Sequence, residues 1–384
     1  MSGVGSRGAL ASIASLQPYQ PGRAIAEIRR LYGVDDVVKL ASNENPLGPS
    51  PQALTALRAA LGEAHRYPEG GSPELRRALA RRHGVAPGRI LLGNGSNEIL
   101  SLLARIYLAP GRNAVVAQYA FAIYAIASRA AGAEVREVPA RAYGHDLAAM
   151  AEAITAETAM VFIANPNNPT GTMVGRTEWE DFLGRVPRDV IVVCDEAYAE
   201  FVTDPTYPDA AARPDAHPGL VVLRTFSKIH GLAGLRVGWG IASVDVVALF
   251  DRIRDAFNVN LLGEVAALAA LDDHAHVERT RRVVEQGRRF LERALVALGL
   301  PFVESAANFL LVEFGEAATV AEALLRAGVI TRPVTGYGLP RHLRITVGLP
   351  EENTRLVQTL AALLGRSGPA VGSLAQAALV GDAR

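Results

Sequence analysis

Residues 224–238 read Arg224-Thr225-Phe226-Ser227-Lys228-Ile229-His230-Gly231-Leu232-Ala233-Gly234-Leu235-Arg236-Val237-Gly238, and they join one apolar run, residues 220–223, to another, residues 237–241. Lys228 offers an amine that can form a Schiff base. Thr225, Ser227 and Arg236 offer two hydroxyls and a planar cation, a set suited to one phosphate group. Taken alone, the segment also fits a solvated lysine and arginine after a strand. A Schiff-base lysine beside a phosphate site nevertheless indicates pyridoxal phosphate, whose aldehyde and phosphate need these two groups.

Composition excludes several classes of protein. The 384 residues suggest two or three domains, and 49% hydrophobic residues are enough for a sizeable core. Lys plus Arg and Asp plus Glu both number 39, so no strong charge favours nucleic acid or a membrane surface. Cys194 is the single cysteine, no apolar run approaches the roughly 18 residues of a membrane span, and no secretory signal is visible. We expect a soluble, cytoplasmic protein without a metal.

Strands and helices alternate through the first two thirds of the chain. The predicted strands are residues 90–92, 114–117, 135–138, 160–164, 190–193 and 220–223. Continuous apolar runs of this kind are typical of buried parallel strands. Their alternation with helices predicts an α/β fold with a large, doubly wound and mostly parallel sheet.

After residue 244 the pattern changes to long helices and then to a smaller α+β set. We expect an N-terminal arm over residues 1–48, a large cofactor-binding domain over 49–259 and a small C-terminal domain over 260–365. Residues 366–384, rich in Gly, Ala and Ser, are expected to form a loose tail. Ser50 and Ser72, each followed by proline, read as helix N-caps.

Two turns that follow predicted strands carry further polar groups. Gly93-Asn94-Gly95-Ser96-Asn97-Glu98 leads into a helix, whose first N–H groups can bind phosphate, although Ser96 also fits a plain N-cap. Asn165-Pro166-Asn167-Asn168-Pro169-Thr170-Gly171 holds its Asn side chains between two prolines, although these are also ordinary turn residues. Both turns are candidate parts of one site.

The most apolar predicted strand ends in Cys194-Asp195-Glu196-Ala197-Tyr198. Ligands of open α/β sheets lie at the carboxyl ends of strands. There, Asp195 could pair with a protonated ring nitrogen and make the ring an electron sink, and Tyr198 could donate to a phenolate-type oxygen. Alternatively, Asp195 starts a helix and Tyr198 is a packed aromatic.

These motifs, in this order, resemble the fold-type I pyridoxal phosphate aminotransferases. More narrowly, the sequence resembles the histidinol-phosphate aminotransferase family. The matching stretches are residues 39–49, Arg66-Tyr67-Pro68, 224–228, Phe257-Asn258-Val259-Asn260, 307–312 and Leu343-Arg344-Ile345-Thr346-Val347-Gly348. The resemblance covers residues 18–364. The string from Tyr119 to Tyr124 departs from the family, but Phe121 keeps its aromatic residue.

The resemblance implies a role for each matching residue. Lys228 would carry pyridoxal 5'-phosphate and shuttle protons, with Asp195 on the pyridine nitrogen. Asn168 and Tyr198 would contact the ring hydroxyl oxygen, and Phe121 would stack on the ring. The cofactor phosphate would be held by Ser96, Asn97, Thr225, Ser227 and Arg236. Lys228, Asp195 and Tyr198 would be the catalytic residues.

The same resemblance implies a homodimer with shared active sites, because Tyr67 would reach the phosphate of the neighbouring subunit's cofactor. The substrate-side candidates are Tyr19, Asn43, Asn308, Arg332 and Arg344, of which Arg344 would bind the acidic group of the substrate. The expected activity is amino transfer from L-histidinol phosphate to 2-oxoglutarate. An aromatic amino-acid aminotransferase, a pyridoxal phosphate decarboxylase and a cofactor-binding regulator remain alternatives, since Arg344 binds carboxylate as readily as phosphate.

Overall fold

The computed structural model describes residues 8–18 and 20–366. Its larger sheet has seven strands in the order β2-β8-β7-β6-β5-β3-β4. The strands are β2 (Ile90–Asn94), β3 (Asn113–Ala117), β4 (Glu134–Val138), β5 (Thr158–Ala164), β6 (Ile191–Asp195), β7 (Leu220–Thr225) and β8 (Val237–Ile241). β8 runs antiparallel to both of its neighbours, and all other pairs are parallel. The predicted large, mostly parallel sheet is therefore confirmed.

Helices connect these strands and pack against the sheet. They are α3 (Pro51–Ala60), α4 (Pro73–His83), α5 (Ser96–Tyr107), α6 (Ala122–Ala130), α7 (Leu147–Glu152), α8 (Arg176–Arg185), α9 (Val244–Ile253) and α10 (Leu261–Asp272). Two shorter helices, α1 (Ala11–Ala14) and α2 (Ile25–Tyr32), precede them. One continuous apolar cluster, which reaches from Ala53 on α3 to Leu271 on α10, forms the larger core. The strands β5 to β7 are buried along almost their whole length, as continuous apolar runs require.

A smaller body follows in the sequence. Its antiparallel sheet has the order β12-β13-β10-β9. The strands are β9 (Phe302–Val303), β10 (Phe309–Glu313), β12 (Arg332–Val334) and β13 (Leu339–Thr346). The helices are α11 (His274–Ala297), α12 (Ala317–Arg326) and α13 (Pro350–Leu363), and their apolar faces share a second core with β10 and β13.

The N-terminal segment belongs structurally with this smaller body. Its strand β1 (Val38–Lys39) pairs in parallel with β11 (Val329–Ile330). This pairing brings the polar loop after β1 to the boundary between the two bodies, where the functional residues lie.

The division at 48/49 and 259/260 stays a prediction. The buried side chains of α10 pack in the larger core, whereas those of α11 pack in the smaller one. The expected loose tail lies outside the described residues apart from Arg366. None of the helices within residues 8–18 and 20–366 is long and apolar enough to cross a membrane.

One of the two expected N-caps is confirmed. The Ser50 hydroxyl accepts a hydrogen bond of 3.0 Å from the Ala53 N–H at the start of α3. The predicted N-cap at Ser72 is wrong. The residue precedes α4, but its side chain makes no capping hydrogen bond, and its backbone is left-handed with φ of 49°. An N-cap normally has extended backbone, and the left-handed backbone of Ser72 departs from this geometry.

Candidate active site

A cavity of about 200 Å³ opens at the carboxyl ends of β5, β6 and β7. A water molecule occupies about 30 Å³, so the cavity has room for a small organic molecule. Most of the predicted site residues line it: Asn43, Ser96, Asn97, Phe121, Asn168, Asp195, Tyr198, Thr225, Ser227, Lys228, Arg236, Arg332 and Arg344. The structure therefore brings together residues that lie up to three hundred positions apart in the chain.

One end of the cavity has the chemistry of a phosphate site. The first N–H groups of α5 have no acceptor within the helix and point toward its start, where Ser96 and Asn97 line the cavity. Two glycines allow the start of α5 to lie close to Arg236 and to β8. A Cβ on Gly95 would lie 2.3 Å from Nη2 of Arg236, and a Cβ on Gly238 would lie 2.1 Å from the Ser96 nitrogen.

The lysine loop completes this end. The Thr225 hydroxyl accepts the Ser227 N–H at 3.0 Å, which fixes the turn that follows β7. Arg236 has a left-handed backbone with φ of 57°, and its Nη1 lies 3.4 Å from the Ser227 hydroxyl oxygen. Helix N–H groups, two hydroxyls and a guanidinium thus converge, which is a suitable donor set for one phosphate.

Asp195 lies at the end of β6 with both carboxylate oxygens held. Oδ1 accepts the Ala197 N–H at 3.2 Å, and Oδ2 accepts the hydroxyl of Tyr124 at 2.8 Å. Burial raises the pKa of Asp195 to about 6, against the opposing effect of these two hydrogen bonds. The carboxylate is therefore desolvated yet still ionised near neutral pH.

Lys228 extends into the same cavity. Its Nζ donates to the Ser42 carbonyl oxygen at 3.3 Å and lies 5.7 Å from the centre of the Tyr198 ring. Burial, followed by the nearby Arg344 guanidinium, lowers the pKa of this lysine to about 8. A large fraction of the amine is consequently neutral at mildly alkaline pH and able to act as a nucleophile or base.

Tyr198 is fixed from the N-terminal loop. The Asn43 side-chain amide donates to the Tyr198 hydroxyl at 2.8 Å, and the ring packs edge-on against Phe309. Burial raises the pKa of Tyr198 to about 12, so the phenol keeps its proton. Because Asn43 occupies an acceptor position of the oxygen, the hydroxyl proton remains available to a partner in the cavity.

In the asparagine turn, each side chain has a different partner. Asn165 pairs through both side-chain atoms with the backbone of Val174, and Asn167 donates to Thr170 and to the Tyr119 carbonyl oxygen. Of the three, only Asn168 lines the cavity, and its Oδ1 accepts Nη1 of Arg344. The amide nitrogen of Asn168 is thereby left to donate to a ligand.

The remaining predicted residues are placed less uniformly. Arg332 lines the cavity and donates to the Gln20 carbonyl oxygen, and Arg344 also donates to the Ala41 carbonyl oxygen at 2.7 Å. Asn308 lies behind the cavity wall and donates to the Asn43 carbonyl oxygen at 3.1 Å. Its direct contact with a substrate stays a prediction.

The roles of two predicted tyrosines stay untested by the described residues. Tyr19 lies outside the described residues. Tyr67 lies on the surface, where its side chain is 82% exposed and stacks on Phe257 with 4.8 Å between ring centres. Its proposed contact with the cofactor of a second subunit stays a prediction.

Sequence reasoning missed a tyrosine of the cavity wall. Tyr124 lines the cavity and contacts Asp195 directly. It lies three positions after Phe121 at the start of α6, so it projects from the same helical face. That spacing was the available signal.

The residues present fit pyridoxal 5'-phosphate. The phosphate-binding set and the buried Asp195 carboxylate line one cavity, together with the amine of Lys228, and the Phe121 side chain contributes an aromatic wall. The Asn168 amide and the Tyr198 hydroxyl are the donors left for a ring oxygen. A phosphate, an aldehyde carbon, a basic ring nitrogen and a phenolic oxygen thus each have a chemically matched group.

Comparison with known proteins gives a consistent result. The family model described as aminotransferase class I and II matches residues 35–360. Histidinol-phosphate aminotransferase 2 of Pseudomonas aeruginosa is 52% identical over 355 residues, which are 92% of this chain and 96% of that protein. The histidinol-phosphate aminotransferase of an Anaeromyxobacter species is 47% identical over 356 residues, 92% of this chain and 98% of that protein.

Solved structures share the fold. Histidinol-phosphate aminotransferase from Sinorhizobium meliloti, in complex with pyridoxal-5'-phosphate, superposes with a TM-score of 0.84 at 27% identity, over 94% of this chain and 98% of that one. Aspartate aminotransferase from Thermus thermophilus, with maleate, superposes with a TM-score of 0.80 at 26% identity, over 93% of this chain and 100% of that one.

Proposed function

The chain belongs to the class I and II aminotransferases, and on this premise we propose that it moves the amino group between L-histidinol phosphate and 2-oxoglutarate with pyridoxal 5'-phosphate bound at Lys228. One observation supports this above all others. A single cavity contains an amine of lowered pKa, a buried carboxylate and a phosphate-binding set, in a chain that is 52% identical to a histidinol-phosphate aminotransferase.

When bound, the cofactor supplies a carbonyl carbon for the amino group and a ring that accepts electrons from the substrate carbon. The protein would hold it at both ends. The N–H groups of α5, the hydroxyls of Thr225 and Ser227 and the Arg236 guanidinium, which lie together in the cavity, would bind the phosphate. At the other end the Asp195 carboxylate would keep a proton on the ring nitrogen.

Lys228 is the group that moves protons. Its pKa of about 8 gives a substantial neutral fraction near pH 8. Its Nζ can therefore take a proton from the substrate carbon and later donate it to the carbonyl-derived carbon of the cofactor. The Ser42 carbonyl oxygen at 3.3 Å keeps the amine inside the cavity. Tyr198 and Asn168 would donate hydrogen bonds to the ring oxygen of the cofactor.

The Arg344 guanidinium orients the substrate. Contacts with Asn168 and the Ala41 carbonyl oxygen hold its planar face at the cavity wall, and it lies 5.3 Å from the Phe309 ring. A guanidinium in this position pairs with an acidic group of the amino donor and with a carboxylate of 2-oxoglutarate in turn. Arg332 adds a second cation on the same side.

The substrate test compares amino donors directly. With 2-oxoglutarate as acceptor, we expect kcat/KM for L-histidinol phosphate to exceed the values for Phe and Tyr by about tenfold or more, since a phosphate carries more charge and more acceptor oxygens than a carboxylate for the two guanidinium groups of Arg344 and Arg332. An aromatic aminotransferase would reverse that order. A decarboxylase would release CO₂ without forming glutamate, and a regulator would bind cofactor without turnover. None of these three alternatives is favoured by the relatives of this chain.

The cofactor bond has an unusually clean test. Lysine occurs at only two positions of the sequence, Lys39 and Lys228. Borohydride reduction followed by peptide mapping should place the pyridoxyl group on Lys228, and Lys39→Arg should leave the yield unchanged. A label on Lys39 alone would contradict the assignment.

We further propose a cytoplasmic homodimer with shared active sites. The exposed stack of Tyr67 on Phe257 supports a protein interface, because large exposed aromatic residues are typical of such surfaces. Co-refolding Tyr67→Ala with Lys228→Ala protomers should restore about a quarter of the wild-type activity, since half of the dimers then hold one intact site. Recovery of no activity, with mixed dimers demonstrated, would contradict shared sites.

A further inference from the structure

Tyr124 is buried in the first turn of α6, and neither the family comparison nor the sequence motifs assign it a role. Its hydroxyl donates to Oδ2 of Asp195 at 2.8 Å, and only 1% of its surface is exposed. The residue follows Phe121 by three positions on α6, so both side chains point toward the same cavity.

The ring of Tyr124 is held on two sides. It stacks on Phe162 with ring centres 5.0 Å apart and planes 10° apart, and it meets Phe121 edge-on at 5.7 Å. Ser128 donates to the Tyr124 carbonyl oxygen at 2.7 Å and fixes the backbone one turn further on. The direction of the hydroxyl is therefore set by packing rather than by a ligand.

Asp195 needs such a donor because its surroundings disfavour negative charge. The charged and titratable groups that face it are Glu196 on the same segment, Lys228 on the loop after β7, and the phenols of Tyr124 and Tyr198. Burial favours the protonated acid, Glu196 adds a like charge, and Lys228 partly offsets both. Burial and the Asp195 charge raise the pKa of Tyr124 well above its usual value, so Tyr124 remains a hydrogen-bond donor throughout the working range.

We propose that Tyr124 is the positioning residue for Asp195. Its hydroxyl holds one carboxylate oxygen in place and favours the ionised carboxylate, which would pair with the ring nitrogen of the cofactor. This rests on the pyridoxal phosphate part of the proposed function and not on the identity of the amino donor. Tyr124 acts through Asp195, whereas Phe121 acts on the ring face.

Removal of the hydroxyl has a defined consequence. Asp195 loses one of its two donors and takes up a proton more readily, because hydrogen bonds to the charged form favour that form. A protonated Asp195 is a weaker partner for a protonated ring nitrogen. Cofactor affinity and kcat then fall, while KM for the amino donor, which is bound by other residues, changes little.

The test uses the holoenzyme of Tyr124→Phe, which keeps the ring and its packing. The matched control is Tyr107→Phe, a half-buried tyrosine at the end of α5 that does not line the cavity. We expect the cofactor dissociation constant to rise about 5–20-fold, since one hydrogen bond to a charged group is lost, and the pH midpoint of the bound cofactor's absorbance to move by about one unit. The control should match the wild type in both measurements.

A double-mutant cycle with Asp195→Asn separates this role from direct contact with the cofactor. If Tyr124 acts through the carboxylate, Tyr124→Phe should have no further effect on cofactor affinity or on the absorbance midpoint in the Asp195→Asn background. Additive effects, or a Tyr124→Phe protein indistinguishable from the wild type, would overturn the proposal. Tyr124→Leu provides a second hydroxyl-free protein for the same cycle should the Phe variant fold poorly.

Neither measurement requires an amino donor. A failure of L-histidinol phosphate as substrate therefore leaves the result for Tyr124 intact, and a negative result for Tyr124 leaves the substrate assignment intact.

Discussion

The side-chain amide of Asn43 donates a hydrogen bond of 2.8 Å to the hydroxyl of Tyr198, across 155 positions of the sequence. The Thr346 hydroxyl donates to the other side-chain atom of Asn43 at 3.1 Å and accepts its backbone N–H at 2.9 Å. One buried asparagine thus joins the cavity tyrosine to the last strand of the smaller sheet. The predicted contact of Asn43 with substrate stays a prediction, and the structure shows its contact with Tyr198.

The Asn43–Tyr198 contact predicts non-additive mutations. Asn43 has φ of 54°, so Asn43→Gly removes the side chain without backbone strain. We expect Asn43→Gly and Tyr198→Phe each to weaken cofactor binding about 5–10-fold, and the double variant to be no worse than about the worse single one, because all three lose the same bond. Cofactor titration of the three proteins measures this. Ala142→Gly, a positive-φ position on the surface, controls for the added glycine and should leave affinity unchanged.

Gly238 is expected to be essential for the phosphate end of the cavity. A Cβ there would lie 2.1 Å from the Ser96 nitrogen, a backbone atom that cannot move aside without displacing the start of α5. Gly238→Ala should raise the cofactor dissociation constant at least about tenfold and destabilise the fold by about 1–3 kcal/mol. Gly234→Ala is the matched control, since a Cβ at Gly234 meets nothing within 4 Å. Equal effects at both positions would contradict the steric explanation.

We expect the buried Lys228 to lower the free energy of unfolding of the cofactor-free protein, by an amount that depends on pH. The pKa of this lysine is lowered from 10.5 to about 8 in the folded protein. Below about pH 8 the folded state therefore carries the full cost of burying the charge, and the cost is lost as the pH rises from about 8 to about 10.5. Lys228→Met should raise the free energy of unfolding by about 1–3 kcal/mol near pH 7 and by less near pH 10.

Denaturant unfolding of the cofactor-free proteins at these two pH values measures the difference. The same Lys228→Met protein should show essentially no transaminase activity. A stability gain that is equal at both pH values would show that the lysine is not the titrating group.

A buried ion network behind Asp195 is expected to stabilise the fold. Arg224, 11% exposed, donates to Glu196 through Nε at 3.0 Å and Nη2 at 2.9 Å, and to Asp209 at 2.6 Å. Arg224→Met leaves the fully buried Glu196 without its cation and should cost about 3–5 kcal/mol. Arg326→Met, which breaks the exposed pair with Glu322, should cost about 0–1 kcal/mol. Urea midpoints of the two variants provide the comparison.

Local patterns were sufficient to predict the central sheet. The run that ends at Asp195 is apolar throughout, and a strand buried on both faces requires that composition. The antiparallel direction of β8 could not be read in the same way, because it depends on the path of the preceding loop. Within β8, Gly238 lies so close to the start of α5 that a Cβ would be 2.1 Å from the Ser96 nitrogen. The missing capping bond of Ser72 likewise goes with its left-handed backbone, which the Ser-Pro pattern did not predict.

For the site, motif residues were easier to predict than their partners. Lys228, Asp195 and Asn168 lie in short strings with an evident chemistry, and the structure places all three in the cavity. Their supporting contacts come from distant segments: Ser42 contacts Lys228, and Tyr124 contacts Asp195. The first contact joins the two bodies and the second joins α6 to the end of β6, so both partners are set by tertiary packing, which composition does not reveal.

The pairing of β1 with β11 sets the order in which a nascent chain can assemble its site. Val38 and Lys39 leave the ribosome long before their partners, Val329 and Ile330, which lie 291 positions further along the chain. Until then the loop that contains Ser42 and Asn43 has no strand to anchor it beside the lysine and the tyrosine that it contacts. Translation must therefore have passed Ile330 before a cofactor can be captured in its final setting.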